Sequence, residues 1–268
     1  MISLGKTTRN NPAAFQKAPL KTLSIILRKT VRKILNGQFN AAKNLLTAEL
    51  LNYLLQNKKI NQFYCNLCQA ESPYFFHTAN EKRILHNSIC PNCSSRKRHR
   101  GLYEIYKNIL NKMESPRILH FAPEPVYYKL FQSFEYITTD LELTDVDLQL
   151  NIEDIDYKSD SFDLILCNHV LEHVSNDNNA LIELERILEP SGIAILTVPG
   201  NWERETTIEY DRPDSNGHFR DYGLEFLEIL KKYFNKVDYI DLYKYNDVYN
   251  LPLGLTHKHD LAFLCQQD

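Results

Sequence analysis

The sequence predicts an α/β protein: a doubly wound, seven-stranded, mostly parallel sheet, with an N-terminal helical segment and a small cysteine ribbon ahead of it. Three observations carry this. From Arg117 onward, apolar strand patterns alternate with helical ones, the grammar of a parallel sheet covered on both faces. The last two strand patterns follow each other without a helix, so they must pair antiparallel, because a parallel return takes about a dozen residues or more. Two Cys-x2-Cys pairs stand in front of the sheet, with the spacing of a metal-binding ribbon.

The expected strands are RILHFA (117–122), YITTDLE (136–142), DLQLNI (147–152), FDLILCNHV (162–170), GIAILTVP (192–199), KVDYIDLYKY (236–245) and LAFLCQ (261–266). Between them, PVYYKLFQSF (125–134), NDNNALIELERIL (176–188) and GLEFLEILKKYF (223–234) read as helices. Residues 1–17 are polar and irregular and are expected to be disordered. From Leu20 to about Leu55 the pattern is helical, and Gly37 and Asn40 divide it in two. The first of these helices sets Leu23, Ile26, Ile34 and Leu35 beside Lys29, Arg32 and Lys33. Such a basic amphipathic helix (20–36) either lies on an anionic membrane surface or packs on the protein itself. GLYEIYKNILNKM (101–113) is a bridging helix. The resulting division is a basic helical region (1–60), a zinc ribbon (61–100), a linker helix (101–115) and the sheet domain (116–268).

A composition of 43% hydrophobic and 11% aromatic residues suffices for a real core. No apolar run approaches the roughly 20 residues of a membrane span. The N-terminus lacks a secretory pattern, so a cytoplasmic, and through the first helix membrane-peripheral, location is expected. The net charge of −3 conceals an asymmetry: residues 1–115 hold 19 Lys and Arg against 5 Asp and Glu, and the remainder 12 against 29. A basic front and an acidic back suggest separate roles, the front meeting something anionic or simply being solvated.

In FYCNLC (63–68) and ICPNC (89–93), Cys65, Cys68, Cys90 and Cys93 lie in two pairs separated by 21 residues. Each pair can bring two thiolates to one ion at ~2.3 Å, and two pairs complete a tetrahedron. The gap is slightly long for a ribbon, and the hairpin YFFHTANEKRIL (74–85) absorbs it. Four thiolates leave no open position, so the expected role is structural zinc, with His77, His86 and His99 outside the ligand set. Cys167 and Cys265 fall inside strands and read as ordinary buried residues. The cluster SSRKRHRG that follows brings Arg96, Lys97, Arg98 and Arg100 either to phosphates or to capping the ribbon.

SFDLI, LEHV, ELERIL and PSGIAILTVP occur in order within residues 147–199. In that order and spacing the chain from about 117 to 268 resembles the class I S-adenosylmethionine-dependent methyltransferases of the type 11-like kind. With the ribbon in front, it looks like their zinc-ribbon-bearing members. The resemblance implies a Rossmann-like methyltransferase domain that binds S-adenosyl-L-methionine outside the carboxyl ends of the strands. It places the ribose on an acid closing the second strand, Asp140 with Glu142 as alternate. The adenine falls to Asn151, Ile152 and Glu153, where Asn151 departs from the acid usual there. Phe121, Ala122 and Glu124 would meet the methionine end, with Asn168 beside them. RILHFAPEP (117–125) contains no glycine, which a dinucleotide's pyrophosphate would require. S-adenosylmethionine has no phosphate, so the loop excludes a dinucleotide more firmly than it excludes this cofactor.

Acceptor-side residues should follow the fourth strand, where Asn168, His169, Glu172 and His173 cluster. His169 and His173 are the catalytic candidates, His169 first as general base, because imidazole titrates near pH 6.5. Alternatively, Glu172 and His173 merely orient the loop. The long loop 200–223 brings Trp202, Tyr210, His218, Arg220 and Tyr222 to the same end, where His218 and Arg220 either touch substrate or brace the lid. Three functions remain open. The first is methyl transfer to a small molecule or glycan, lipid-linked or nucleotide-linked sugars included. The second is methylation of an RNA base gripped by the ribbon, which a strongly acidic catalytic domain disfavours. The third is a non-catalytic zinc-ribbon binding module on a relict fold.

Overall fold

The computed structural model describes residues 23–55, 57–80, 83–255 and 260–267. The irregular segment expected over 1–17, and the beginning of the helix expected from Leu20, lie outside them. The chain divides into two compact units. One takes the described residues up to Arg100 with Pro125–Tyr128 and residues 247–255; the other takes Gly101–Glu124, Lys129–Asn246 and the described residues from Asp260.

In the first unit, α1 (Leu23–Leu35) and α2 (Phe39–Leu55) pack on each other. They part where Gly37 takes φ +72°, its amide donating to Ile34 O at 2.9 Å and the Gln38 amide to Lys33 O at 2.8 Å. This paired closure satisfies carbonyls that a helix end would otherwise leave bare, and its left-handed residue favours glycine. No described helix is long and apolar enough to cross a membrane. The ribbon consists of two antiparallel hairpins, β1 (Phe63–Cys65) with β2 (Ala70–Ser72), and β3 (Phe76–Ala79) with β4 (Ile84–Ile89). The long gap between the cysteine pairs is thus filled by three strands. Asn52 of α2 fastens the ribbon: its Oδ1 accepts the His77 amide at 2.7 Å and its Nδ2 donates to the His77 carbonyl at 3.0 Å.

Helix α3 (Lys97–Leu110) begins four residues before the expected bridging helix. It buries Leu102, Ile105, Tyr106 and Ile109, spaced as one helical face. The second unit then builds its sheet from β5 (Arg117–Phe121), β6 (Glu135–Thr139), β7 (Phe162–Asn168) and β8 (Leu188–Thr197), all parallel. Before β6, the helix expected over 125–134 shrinks to a 3-10 turn at Pro125–Tyr127 and α4 (Tyr128–Phe131), closed by the Phe134 amide on Phe131 O. Helix α5 (Asp177–Ile187) is capped by the Asn176 side chain, which accepts from the Asn179 amide. The short pair β9 (Ile208–Glu209) and β10 (Arg220–Asp221) closes the inner part of the long loop, and an isolated bridge between Gly200 and Tyr222 joins its ends. After α6 (Phe226–Leu230), β11 (Lys236–Asp241) and β12 (Leu261–Gln266) pair antiparallel, as their lack of a crossover requires. The order across the sheet is β11-β12-β8-β7-β5-β6.

Among the described residues this sheet has six strands, which corrects the expected seven. The missing member is 147–152, reduced to one isolated parallel bridge between Thr139 and Leu148. Asp147 is the cause. Its Oδ2 accepts both the Thr138 amide and the Thr138 hydroxyl at 2.8 Å, so a side chain takes the edge donor that a seventh strand would need. The core lies on the sheet, where Leu119, Ile165, Leu181, Leu184, Leu196 and Phe226 are fully or almost fully buried.

Candidate functional site

The order of strands reverses between β5 and β7, and a ligand crevice forms at the carboxyl ends of strands on either side of such a switch. Both strands end there on a residue with left-handed backbone: Ala122 at φ +47° after β5, and His169 at φ +54° after β7. For a residue with a Cβ that conformation costs roughly 1–2 kcal/mol, and such cost concentrates at functional sites. The loop without glycine therefore adopts a glycine's conformation, on alanine. The Ala122 amide donates to Thr139 O at 2.9 Å and is spent on the sheet; its carbonyl is the group left to face a ligand.

Behind this loop lies a polar network. His120 Nδ1 accepts from Tyr136 Oη at 2.8 Å, and His120 Nε2 donates to Glu124 Oε2 at 3.1 Å. The same oxygen accepts from Asn168 Nδ2 at 3.1 Å. Asn168, buried, also exchanges hydrogen bonds with Tyr106 and accepts from Thr197 Oγ1. Glu124 is thus held in one orientation beside Ala122 by residues of β5 and β7, and Asn168 acts within that network. Tyr106 went unforeseen, because an aromatic on the buried face of a helix carries no functional signal in sequence.

At the end of β6, Asp140 Oδ1 accepts the amides of Glu142 and Leu143 at 2.8 and 2.9 Å. That fixes the carboxylate and leaves Oδ2 outside those two bonds. The neighbouring Thr139 hydroxyl is buried without a hydrogen-bond partner, an orphaned donor beside the same strand end. Glu142 is exposed. Asn151 is exposed, with its Oδ1 on the Glu153 amide, and Ile152 is buried. Glu153 Oε1 accepts from Ser175 Oγ and the Asn176 amide at the start of α5, so this carboxylate is engaged in holding that helix end.

After β7, Glu172 is 1% exposed and its Oε1 accepts from His169 Nδ1 at 3.2 Å. That bond leaves His169 Nε2 as the nitrogen able to take a proton. The other oxygen of Glu172 is buried without a partner, at a cost of about 1–3 kcal/mol. His173 Nδ1 donates to Gly217 O at 3.1 Å and its ring meets His218 edge-on, with centroids 4.9 Å apart. Gly217, at φ +83°, turns the chain so that His218 returns beside His173. Arg220 braces rather than binds: its guanidinium donates to the carbonyls of Leu171, Val174 and Ser175 and to the Glu209 carboxylate. Tyr222 donates to Asp177, and burial, chiefly, raises its phenol well above the ordinary value. Burial also raises the thiols of Cys167 and Cys265, which fits inert core residues.

In the ribbon, the sulfurs of Cys65, Cys68, Cys90 and Cys93 lie within 4.8 Å of one another. Cys65 and Cys93 are 3.6 Å apart, Cys68 and Cys90 3.8 Å. Four sulfurs at 2.3 Å on tetrahedral corners around one ion would stand about 3.8 Å apart, so the donor set fits a tetrahedral divalent ion. Ser95 Oγ lies 3.3 and 3.2 Å from the sulfurs of Cys65 and Cys93. Of the two alternatives for the basic cluster, Arg100 takes the ribbon-bracing one. It is fully buried, donating to the carbonyls of Leu253 and Ser95 at 2.6 and 2.7 Å and to Asn87 O at 3.2 Å, with its guanidinium over the Phe75 ring. Burial lowers its pKa from the ordinary value, and the four cysteines oppose that fall. Arg96 of the same cluster is exposed.

Residues 132–196 match a family described as a methyltransferase domain. The search of curated proteins gave no match. Among solved structures, the chain is similar to the YcgJ protein of Bacillus subtilis, with 20% identity over 53% of this chain and 70% of that one and a TM-score of 0.41. It is similar to the Burkholderia thailandensis 1,6-didemethyltoxoflavin-N1-methyltransferase, solved with S-adenosylhomocysteine, at 16% identity over 63% and 79% with a TM-score of 0.44. The Pyrococcus horikoshii PH0226 protein gives 15% identity over 62% and 89% with a TM-score of 0.41. Likenesses of this size say nothing about acceptor or activity.

Proposed function

We propose that this chain is an S-adenosyl-L-methionine-dependent methyltransferase acting on an oxygen or nitrogen of a small-molecule or glycan-type acceptor. The observation that carries the reading is the pair of left-handed residues, Ala122 and His169, at the two strand ends flanking the switch, with Asp140 at the next strand end. Asp140 Oδ2 accepts from the ribose hydroxyls, with Glu142 as alternate. The Ala122 carbonyl and Glu124 accept from the methionine ammonium, which is a donor and needs no bare amides. Asn151, Ile152 and Glu153 border the adenine. Phe121 and Asn168 support the methionine end from β5 and β7.

When bound, the cofactor would supply a methyl carbon on a positively charged sulfur, open to displacement by an oxygen or nitrogen of the acceptor. His169 Nε2 takes the proton the acceptor loses, while Glu172 holds the ring by Nδ1. His173, 45% exposed in its side chain, stands on the acceptor side. Cys65, Cys68, Cys90 and Cys93 hold a structural Zn2+, a role supported by the sulfur spacing and by the buried countercharge of Arg100. On α1, Leu27, Val31 and Leu35 are exposed beside Arg28, Lys29 and Arg32, which supports a membrane-peripheral contact and hence lipid-linked acceptors.

The test combines calorimetric titration of S-adenosyl-L-methionine with incubation of methyl-labelled cofactor in cell extract. Saturable heat and label in small solutes, glycans or lipid-linked sugars are expected. Label confined to RNA transfers the acceptor to the RNA reading, and no heat with no label overturns methyl transfer.

A further inference from the structure

We propose that Glu172, His173 and His218 form a second metal site, for a divalent first-row transition ion, separate from the four cysteines. One carboxylate oxygen and one ring nitrogen from each histidine lie within 4.8 Å of one another. Two histidines and a carboxylate on one face, with the remaining positions open, suit a divalent ion that also takes an outside ligand.

Three independent features point to an ion. The buried Glu172 Oε2 has no hydrogen-bond partner, whereas backbone oxygens of the same segment are served by a side-chain donor. Arg220 illustrates this, since its guanidinium serves the carbonyls of Leu171, Val174 and Ser175 and leaves that carboxylate oxygen alone. Next, His173 is held in the tautomer a ligand needs. Its Nδ1 donates to the Gly217 carbonyl, so Nε2 carries the lone pair, 3.9 Å from Glu172 Oε1. Metal-bound histidines characteristically give their other ring N–H to such an acceptor. The His218 Nδ1 lies 4.0 Å from the Asp214 carboxylate, too far for a hydrogen bond, so its tautomer is not fixed in this way. Finally, the main chain fixes the cluster before any ligand arrives. The Phe219 amide donates to Glu172 O at 2.7 Å, and the turn at Gly217 returns His218 against His173.

The ion would be reachable from solvent, since the His173 and His218 side chains are 45% and 23% exposed. It would also adjoin His169, which shares Glu172 through Oε1. Resting on the methyl-transfer reading, this placement narrows the acceptor to an oxygen nucleophile. The ion binds a hydroxyl oxygen and makes its proton easier for His169 to remove.

The probe is Co2+, added to full-length protein already carrying one equivalent of Zn2+. One further equivalent is expected, with the weak absorption of nitrogen- and oxygen-ligated cobalt and no new sulfur-to-cobalt charge transfer. His218→Ala and Glu172→Gln should weaken it at least about tenfold, the scale on which even outer partners of a metal affect its affinity. His218→Ala removes a partly exposed ring, so it serves if Glu172→Gln misfolds. A wild-type protein that takes no second equivalent, or cobalt binding untouched by His218→Ala, overturns the proposal. S-adenosyl-L-methionine is titrated into the same samples. Cofactor heat without a cobalt site sinks this inference alone, whereas cobalt binding without cofactor heat supports the ion site and sinks methyl transfer.

Discussion

The Ala122 amide donates to the Thr139 carbonyl at 2.9 Å while Ala122 itself sits at φ +47°. The sheet bond and the left-handed turn are made by one residue, and only the turn is expensive for alanine. Ala122→Gly should therefore stabilise the sheet unit by about 0.5–1 kcal/mol, the relief of left-handed strain less the entropy glycine adds to the unfolded chain. Ala122→Val should destabilise by about 2 kcal/mol, since a branched side chain fits this region worse. Urea midpoints at unchanged slope measure both; a glycine variant less stable than wild type would show that the turn is not strained.

Asp140 spends Oδ1 on two backbone amides and keeps Oδ2 clear of them. Asp140→Ala removes both the proposed ribose acceptor and the fixed turn, and should weaken S-adenosyl-L-methionine by about 1–3 kcal/mol. Asp140→Asn retains an oxygen for the amides and should lose less. Calorimetry ranks the three; equal affinities would put the ribose elsewhere.

The parts of this fold that were legible in sequence are those in which one residue type has one physical use. Alternating apolar runs specified β5, β7 and β8, and a missing crossover specified the antiparallel β11–β12 pair. The segments that carried the family resemblance prove to be fasteners. Asp163 of SFDLI accepts the Arg117 amide, and Glu183 and Arg186 of ELERIL hold the 155–157 loop through Ile155 N, Ile155 O and Tyr157 O. The seventh strand was illegible because DLQLNI has a strand's alternation, and only the fold reveals that Asp147 turns its carboxylate onto Thr138. Which arginine of the basic cluster braces the ribbon was illegible for the converse reason: four neighbouring basic residues look alike, and the burial of Arg100 depends on carbonyls far away in sequence, such as that of Leu253. The Glu172–His173–His218 grouping was half legible. LEHV marked its first half, and no spacing rule connects it to His218.

Arg100 offers a test of the ribbon. Its guanidinium donates to backbone carbonyls and lies near a cluster of four thiols, so its charge is compensated fully only when the sulfurs are ionised around a cation. Arg100→Leu should cost about 3–5 kcal/mol, because it leaves several buried carbonyls bare and removes the countercharge. Arg100→Lys should recover part of that loss, keeping the charge without the planar fork. Chelation of the ion should likewise strip hydrogen-exchange protection from β1–β4. Protection that survives a strong chelator would mean that the ribbon folds without metal.

The pH dependence of the first unit should follow His77. Its Nδ1 accepts the Asn87 amide at 3.0 Å, so the folded ring is neutral. Burial first, then the charges of His86 and Lys58, lower its pKa from the ordinary 6.5. A group with a depressed folded pKa binds its proton more readily when unfolded, so stability rises with pH through the interval between the two values. The contribution is complete above about pH 6.5 and is lost as pH falls through the folded value. His77→Gln, which can still accept the Asn87 amide, should flatten this slope. Because protonation of the cysteines acts equally on both proteins, the useful quantity is the difference between wild type and variant at each pH. That difference should favour wild type most at neutral pH and shrink toward pH 5; a constant difference would mean that the ring does not titrate on folding.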